Sequence, residues 1–140
     1  MANLSYVNIF CRDVVKLSAF YIKTFGFKEI KEIRSPIFRG VDTGKSAIGF
    51  NALAVYELLE IKKYSKTTGA KFLLNFDARS MAEVDKLSQK ASKYGANIIK
   101  MPYRTYYHWY QSVLVDPEKN IFRINKILPA KDRSQAPKIK

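Results

Sequence analysis

Residues 13–27 read DVVKLSAFYIKTFGF and predict a helix with both of its ends marked. Asp13 is a preferred N-cap residue, because its side-chain oxygen can accept a hydrogen bond from an unpaired backbone N–H of the first turn. Apolar residues then recur at helical spacing from Val14 to Phe25. Gly26 follows at the place where a left-handed residue ends many helices. Both ends of this helix are therefore predicted from residues within the segment itself.

A second helix with the same marks is predicted further along the chain. Ser80 is its N-cap, Glu83 completes a capping box, and Gly95 stands at the stop. Predicted strands surround both helices, at residues 5–11, 27–34, 37–41 and 46–50 and at residues 72–78, 96–101, 112–115 and 121–127. Residues 52–64 favour a helix that connects the two halves. The order βαβββ thus occurs twice, which a duplicated module explains.

Three segments carry a resemblance to a known family: residues 13–27, residues 93–102 (KYGANIIKMP) and residues 116–125 (DPEKNIFRIN). They resemble the vicinal oxygen chelate (VOC) superfamily of glyoxalases, bleomycin resistance proteins and extradiol dioxygenases. The resemblance spans about residues 5–127. It implies an α+β fold of the dihydroxybiphenyl dioxygenase kind, in which two βαβββ modules form an open cup of antiparallel strands around a small-molecule cleft. It also implies a homodimer.

The domain prediction follows from this resemblance. Residues 1–128 form a single domain made of two halves, at about 5–51 and 71–128, with the connecting helix at about 52–64. Residues 129–140, rich in Lys and Arg, predict a flexible basic tail. The family's last turn usually has Gly where this chain has Lys119, a position of positive φ that is expected to cost roughly 1 kcal/mol.

Enzymes of this family usually hold a divalent metal with His and Glu side chains. The resemblance places three of those ligand positions at Tyr6, at Leu73 within one residue, and at Arg123. The fourth falls within residues 49–51, where Asn51 has the only polar side chain. A divalent cation prefers imidazole nitrogen or carboxylate oxygen, and a guanidinium repels it. We therefore expect the usual metal ligands to be lost, no cofactor to be bound, and standard metal-dependent catalysis to be absent.

Residues 103–111 (YRTYYHWYQ) place five aromatic rings in a predicted loop between two strands. These rings indicate either the wall of a ligand pocket or packing at a dimer interface. Arg123 is the leading candidate to hold an anionic group, with an internal salt bridge to Asp77 or Glu57 as the alternative. His108, the only histidine, is the candidate catalytic base. The predicted ligand-binding residues are Tyr6, Asn8, Arg39, Asn75, Tyr103, Tyr106, Tyr107, His108, Trp109, Gln111 and Arg123.

The chain carries a net charge of +13, from 25 basic and 12 acidic residues, and this charge attracts anions. Its lysines are spread widely, which argues for a solvated surface rather than a nucleic-acid binding stripe. Cys11 is the only cysteine, so an intramolecular disulfide and a cysteine zinc site are both excluded. No apolar stretch approaches the roughly 20 residues of a membrane span, and no signal peptide is recognisable. We expect a cytoplasmic protein.

Three functions are compatible with this sequence. The leading hypothesis is a metal-independent protein that binds a small anionic or aromatic molecule in the cup. The alternative is a lyase, isomerase or dioxygenase-type enzyme with a displaced metal or with metal-free acid–base chemistry. A third possibility is an interaction protein that binds nucleic acid through the basic surface and tail, which would show steeply salt-dependent binding.

Overall fold

The structure is a computed structural model that describes residues 2–66 and 68–129. The chain folds as two compact units, one ending at Gly69 and the other beginning at Ala70. The first unit contains β1 (Tyr6–Cys11), α1 (Val14–Phe25), β2 (Lys28–Glu29), β3 (Phe38–Asp42), β4 (Ala47–Ala52) and α2 (Val55–Leu58). The second unit contains β5 (Leu74–Asp77), α3 (Met81–Lys93), β6 (Asn97–Arg104), β7 (Trp109–Val115) and β8 (Ile121–Ile127).

Each unit has one four-stranded sheet, and the two sheets have the same topology. The strand order is β1-β4-β3-β2 in the first and β5-β8-β7-β6 in the second. The first strand of each unit runs parallel to its last strand, whereas the other neighbours are antiparallel. Each sheet is therefore mixed rather than wholly antiparallel, because a helix and two strands bring the chain back beside its first strand. The predicted α+β class with two βαβββ modules is confirmed.

The predicted N-caps of both long helices and the predicted glycine at the end of α1 are formed, whereas Glu83 accepts from the N–H of Arg79 and not from that of Ser80. The Asp13 carboxylate accepts a hydrogen bond from the Lys16 N–H at 2.9 Å. Gly26 has a φ of 75°, and its N–H donates to the Ile22 carbonyl at 2.8 Å. The Ser80 hydroxyl oxygen accepts from the N–H of Glu83 at 3.0 Å. These contacts join residues three or four apart, which is why the sequence alone could place them.

In the second unit, α3 packs against β6, β7 and β8 and covers one face of the sheet. Val84 and Ala91 of α3 are fully buried, as are Leu114, Phe122 and Ile124 of the sheet. Among the described residues of this unit, α3 is the only helix. Within the described part of this unit, the opposite face of the sheet therefore carries no helix, and we call it the helix-free face.

Two predicted elements of the first unit are shorter than expected. Residues 27–34 form only the two-residue β2, an edge strand that pairs with β3, and a 3-10 turn at Lys31–Ile33. Residues 52–64 form α2 and a second 3-10 turn at Lys62–Tyr64 instead of one long helix. Glu60 has a φ of 59°, a left-handed conformation that interrupts a right-handed helix.

The aromatic segment at residues 103–111 is a β-hairpin, and the prediction of a loop there is wrong. Tyr103 and Arg104 belong to β6, and β7 begins at Trp109. Thr105 organises the turn: its N–H donates to the Trp109 carbonyl at 2.8 Å, and its hydroxyl accepts from the Trp109 N–H at 3.0 Å. His108 adopts a φ of 60° in a turn without glycine, so no glycine signal marked it.

The turn before β8 has the conformation that was predicted for it. Lys119 has a φ of 74°, as expected at the place where the family usually has glycine. The buried carboxylate of Asp116 accepts hydrogen bonds from the backbone N–H groups of Glu118 and Asn120, at 2.8 and 3.0 Å. These bonds offset the strain of the left-handed lysine.

The predicted basic tail falls almost entirely beyond the part of the chain that the structure describes. Residues 130–140, which make up nearly all of it, lie outside the described residues. Within the described part of the chain, no helix has both the length and the apolar character that a membrane crossing needs.

Candidate functional site

The helix-free face of the second sheet carries two parallel rows of side chains. Residues paired in register across neighbouring strands point to the same face of a sheet. The first row consists of Asn75, Arg123, Val113 and Lys100. The second row, two or three residues along each strand, consists of Asp77, Asn125, Gln111 and Tyr103. Polar groups therefore dominate the centre of this face.

Arg123 is the centre of the hydrogen-bonded cluster on this face. Its Nε donates to the Asn75 Oδ1 at 2.7 Å, and its Nη1 donates to the Tyr107 hydroxyl oxygen at 3.2 Å. The guanidinium carbon lies 5.8 Å from the ring centroid of Trp109. Among the described residues of its unit, Arg123 forms no ion pair. The alternative of an internal salt bridge to Asp77 is therefore not formed.

A chain of hydrogen bonds continues from Arg123 through three neutral side chains. The Tyr107 hydroxyl donates to the Gln111 Oε1 at 2.9 Å, and the Gln111 Nε2 donates to the Tyr103 hydroxyl oxygen at 3.1 Å. Gln111 is only 2% exposed, so its amide is held in one orientation. Because the Tyr103 oxygen already accepts, its hydroxyl hydrogen remains available for donation to a ligand.

Two asparagines complete the cluster. The Asn75 Oδ1 accepts from the Asn125 Nδ2 at 3.1 Å as well as from Arg123. With its oxygen occupied, Asn75 presents its amide N–H₂ as a donor. Asn125 is fully buried, and its Oδ1 has no hydrogen-bond partner among the described residues. Arg123 thus sets the orientation of both amides.

This arrangement presents hydrogen-bond donors and positive charge. The donors with no acceptor in the described part of this unit are three N–H groups of Arg123, the amide of Asn75 and the hydroxyl of Tyr103. Asp77 carries the carboxylate of the two rows, at the end of its row on β5. Oxyanions match such a donor set, especially through bidentate contact with a guanidinium.

The same residues do not fit a divalent metal ion. A guanidinium offers no lone pair, and Arg123 stands where the resemblance places a carboxylate ligand. In the described residues, no group of three or more His, Cys, Asp or Glu side chains is placed to hold a metal ion. His108 therefore joins no such group within that part of the chain.

The corresponding face of the first unit has amides without the arginine. Asn8 pairs in register with Gly49 on β4. The Asn8 Nδ2 lies 3.5 Å from the Asn51 Oδ1, at the outer limit for a hydrogen bond. A Cβ at Gly49 would lie only 2.7 Å from the Asn8 Oδ1, so glycine provides the space that Asn8 fills. Tyr6 lies on the same face and is 40% exposed.

Arg39 does not join these residues, and the prediction that it faces the same cleft is wrong. It pairs in register with Phe50, whose ring lies 5.6 Å from that of Tyr21 on α1. Arg39 therefore lies on the helix-covered face, with its Nε 3.9 Å from a carboxylate oxygen of Glu29. A hydrogen bond from Arg34 holds the pKa of Glu29 below its ordinary value. Arg39 thus serves a structural ion-pair cluster.

The aromatic rings of the hairpin divide between the two faces of the sheet. Tyr107 contacts the rings of Tyr106 and Trp109 edge-on, at centroid distances of 4.9 and 5.4 Å. Tyr110 instead lies on the side of α3, where its hydroxyl donates to the Asp85 carboxylate at 2.7 Å. Four of the ligand-binding residues predicted within residues 103–111 therefore belong to the cluster around Arg123: Tyr103, Tyr107, Trp109 and Gln111.

Sequence reasoning missed two residues of this face. Asn125 follows Arg123 by two positions in the same strand, so strand alternation was a sufficient signal for it. Lys100 carried no comparable signal, because it is one of many lysines in a basic chain and its strand is irregular on both sides. Only the pairing of β6 with β7 brings Lys100 into the row of Arg123.

The contribution of Tyr110 to the free energy of unfolding is expected to depend on pH. The hydrogen bond to Asp85, followed by burial and the negative charge of Asp85, raises the pKa of Tyr110. We expect Tyr110→Phe to lower the free energy of unfolding by about 1 kcal/mol at neutral pH. Because the folded pKa is the higher one, this difference should disappear as the pH rises above about 10, the unfolded value.

Urea unfolding of both proteins at neutral and at high pH measures this effect. Tyr106→Phe is the matched control, since the Tyr106 ring is 47% exposed and its hydroxyl has no hydrogen bond within the described residues. A Tyr110→Phe difference that persisted unchanged at high pH would contradict the assignment.

Comparison with known proteins agrees with the predicted fold and family. A sequence model of the Glyoxalase/Bleomycin resistance protein/Dioxygenase superfamily matches residues 3–124, and the chain therefore belongs to this superfamily. A crystal structure described as a glyoxalase/bleomycin resistance protein/dioxygenase family enzyme from Burkholderia phytofirmans PsJN is 63% identical, with a TM-score of 0.88. That match covers 91% of this chain and 100% of the other.

More distant solved structures share the fold alone. A glyoxalase-related enzyme from Fulvimarina pelagi is 15% identical, with a TM-score of 0.77, and the match covers 90% of this chain and 88% of the other. A lactoylglutathione lyase from Agrobacterium tumefaciens is also 15% identical, with a TM-score of 0.69 and coverage of 90% and 94%. No curated protein matches this chain.

Proposed function

We propose that this protein binds a small anionic molecule on the helix-free face of the second sheet, with Arg123 holding the anionic group. The observation that carries the proposal is the set of partners around Arg123. The guanidinium donates to the neutral groups of Asn75 and Tyr107 and has no carboxylate partner among the described residues of its unit.

The energetics of a half-buried cation support this assignment. Removing a charge from water is costly unless an opposite charge or several hydrogen bonds replace the lost solvent. Two neutral acceptors satisfy two of the five guanidinium N–H groups and leave three without a partner among the described residues of this unit. A carboxylate or another oxyanion supplies both the missing acceptors and the missing charge.

The neighbouring rings favour a flat ligand. Trp109 lies beside the guanidinium, and Tyr107 contacts the Trp109 ring edge-on at a centroid distance of 5.4 Å. Aromatic side chains in this arrangement pack well against planar apolar groups. An aromatic carboxylate therefore matches both the charge and the shape of the cluster. Tyr6 and Asn8, which lie in the first unit, remain ligand-binding residues predicted from the sequence alone.

We propose that binding is independent of a metal ion. The usual ligand positions read Tyr6, Leu73 and Arg123, and this set is a poor substitute for two imidazoles and a carboxylate because leucine and arginine offer no lone pair to a metal ion. An enzyme of the lyase, isomerase or dioxygenase type, using a displaced metal or His108 as a base, is the alternative function. The described geometry adds no separate observation in its favour.

The remaining parts of the proposal come from the family and the composition. We propose one domain over residues 1–128, a homodimer, and a cytoplasmic location without a nucleic-acid partner. Membership of the superfamily supports the small-molecule role and the dimer. The wide spread of lysines argues against a nucleic-acid stripe.

Isothermal titration calorimetry with a matched pair of small molecules tests the proposal. Benzoate carries a carboxylate, whereas benzamide has nearly the same shape without the charge. We expect saturable binding of benzoate by metal-free protein and no detectable binding of benzamide, because the neutral amide cannot form a bidentate ion pair with Arg123. Equal behaviour of the two molecules, or binding of neither, would contradict the proposed function.

Elemental analysis of the same protein separates the proposal from the enzyme alternative. We expect no stoichiometric metal and no titratable site for nickel, zinc, manganese or iron(II). One tightly bound metal per chain would overturn the metal-independent proposal and make the enzyme the leading function.

A further inference from the structure

Two cations flank an apolar residue in the first row of the helix-free face. Val113 on β7 pairs in register with Arg123 on one side and with Lys100 on the other. Neighbouring strands lie about 4.8 Å apart, so the Cα atoms of the two cationic residues are about 10 Å apart. Both side chains are long enough to reach a ligand that lies over Val113.

The Lys100 ammonium lies at the edge of the cluster. Its Nζ is 3.8 Å from the ring centroid of Tyr103. A chain of hydrogen bonds leads from Arg123 to Tyr103. Arg123 donates to Tyr107, Tyr107 donates to Gln111, and Gln111 donates to Tyr103. The two cations are thus the ends of one continuous chain of contacts.

No carboxylate of this face neutralises the second cation. Among the described residues of its unit, Lys100 forms no ion pair. Asp77 lies on β5, at the opposite edge of the sheet from β6, so three strand spacings of about 4.8 Å each separate the two strands. Like charges that converge on one surface without a carboxylate between them suit a ligand that carries a negative charge at each end.

We infer that the ligand is a dianion with a flat apolar centre. Arg123 binds one anionic group, Lys100 binds the other, and the apolar part lies over Val113. This inference rests on the proposed function, because it requires Arg123 to be the first anion contact. It adds the class of ligand and assigns Lys100 as the residue that selects a dianion over a monoanion.

Calorimetric titration with benzoate and terephthalate tests the inference. Terephthalate differs from benzoate by one additional carboxylate at the opposite end of the ring. We expect the wild-type protein to bind terephthalate about tenfold more tightly than benzoate, the effect of one additional partly exposed charge contact. Lys100→Gln should remove that gain, so that the variant binds terephthalate and benzoate with nearly equal affinity. Lys100→Arg, which retains the charge, should keep the preference.

Lys93→Gln is the matched control for long-range charge. Lys93 also lies over a tyrosine ring, with its Nζ 5.8 Å from the Tyr94 centroid, but it belongs to the last turn of α3. It is therefore outside the helix-free face, and its substitution removes the same charge. We expect Lys93→Gln to leave the preference for terephthalate unchanged.

The outcomes distinguish failure of the inference from failure of the proposed function. Benzoate binding without a preference for terephthalate overturns the dianion and leaves the Arg123 site intact. Equal reductions of terephthalate binding in Lys100→Gln and Lys93→Gln also overturn the dianion, because the effect is then one of net charge. Binding of neither acid overturns the proposed function and this inference together.

Discussion

Replacing Arg123 with glutamine is expected to weaken the binding of benzoate by about 100-fold, because truncation of one partner in a hydrogen-bonded charge pair costs about 2–5 kcal/mol. Glutamine keeps much of the length and polarity of the side chain but removes the positive charge and the paired N–H groups. Arg123→Lys should give an intermediate loss, since lysine keeps the charge and lacks the planar fork. Isothermal titration calorimetry measures all three proteins.

Arg104→Gln is the matched control for this substitution. Arg104 is exposed, and its guanidinium lies 3.8 Å from the Met81 sulfur of α3, on the helix-covered side of the hairpin. The chemical change and the loss of net charge are the same, so benzoate affinity should stay close to that of the wild type. Equal losses in Arg123→Gln and Arg104→Gln would show that the whole positive surface, rather than the cluster, attracts the ligand.

The unfolding temperature of Arg123→Gln shows whether weaker binding comes from the lost ligand contact or from a destabilised fold. Arg123 has neutral partners in place of a counter-charge, so its replacement leaves no buried carboxylate unpaired. We therefore expect Arg123→Gln to unfold at nearly the same temperature as the wild type. A large fall in that temperature would mean that the arginine is part of the structural core of the sheet.

Ser88→Ala is expected to destabilise the second unit by about 2 kcal/mol, the cost of leaving a buried hydroxyl without a partner. The hydroxyls of Ser88 on α3 and Ser112 on β7 lie 2.6 Å apart, and both residues are fully buried. Ser88 also donates to the Val84 carbonyl at 2.7 Å. Loss of Ser88 therefore leaves the Ser112 hydroxyl with no partner among the residues that the structure describes.

The converse substitution should cost less, because the two hydroxyls are not equivalent. In Ser112→Ala, the Ser88 hydroxyl still donates to the Val84 carbonyl, so we expect a loss of about 1 kcal/mol. The double variant should be more stable than Ser88→Ala alone, since it leaves no orphaned hydroxyl. Urea unfolding measures all three. Additive losses in the double variant would contradict the shared hydrogen bond.

The two units repeat one framework and differ in the group at its centre. Asn8 pairs with Gly49 in the first unit, and Asn75 pairs with Arg123 at the corresponding positions of the second. The amides are similar, but the first unit has a glycine where the second has a cation. We therefore assign the anion contact to the second unit, because Arg123 occupies the position that Gly49 occupies in the first.

Local chemistry in the sequence determined the parts of the fold that depend on residues close in the chain. Asp13 and Gly26 predicted both ends of α1, because helix caps join backbone groups three or four residues apart. Alternation along β8 put Arg123 on the face opposite Phe122 and Ile124, since successive strand residues point to opposite faces. The left-handed Lys119 was expected from the resemblance, because the family usually has glycine at that place.

Tertiary structure decided what the sequence alone left open. Arg39 belongs to a strand whose two faces both carry apolar neighbours, so only the position of α1 shows which face is covered. Arg123 meets Asn75, 48 residues away, because β5 and β8 are parallel neighbours. Lys100 joins that row only through the pairing of β6 with β7. Such contacts depend on strand register between distant segments, which no local pattern of residues encodes.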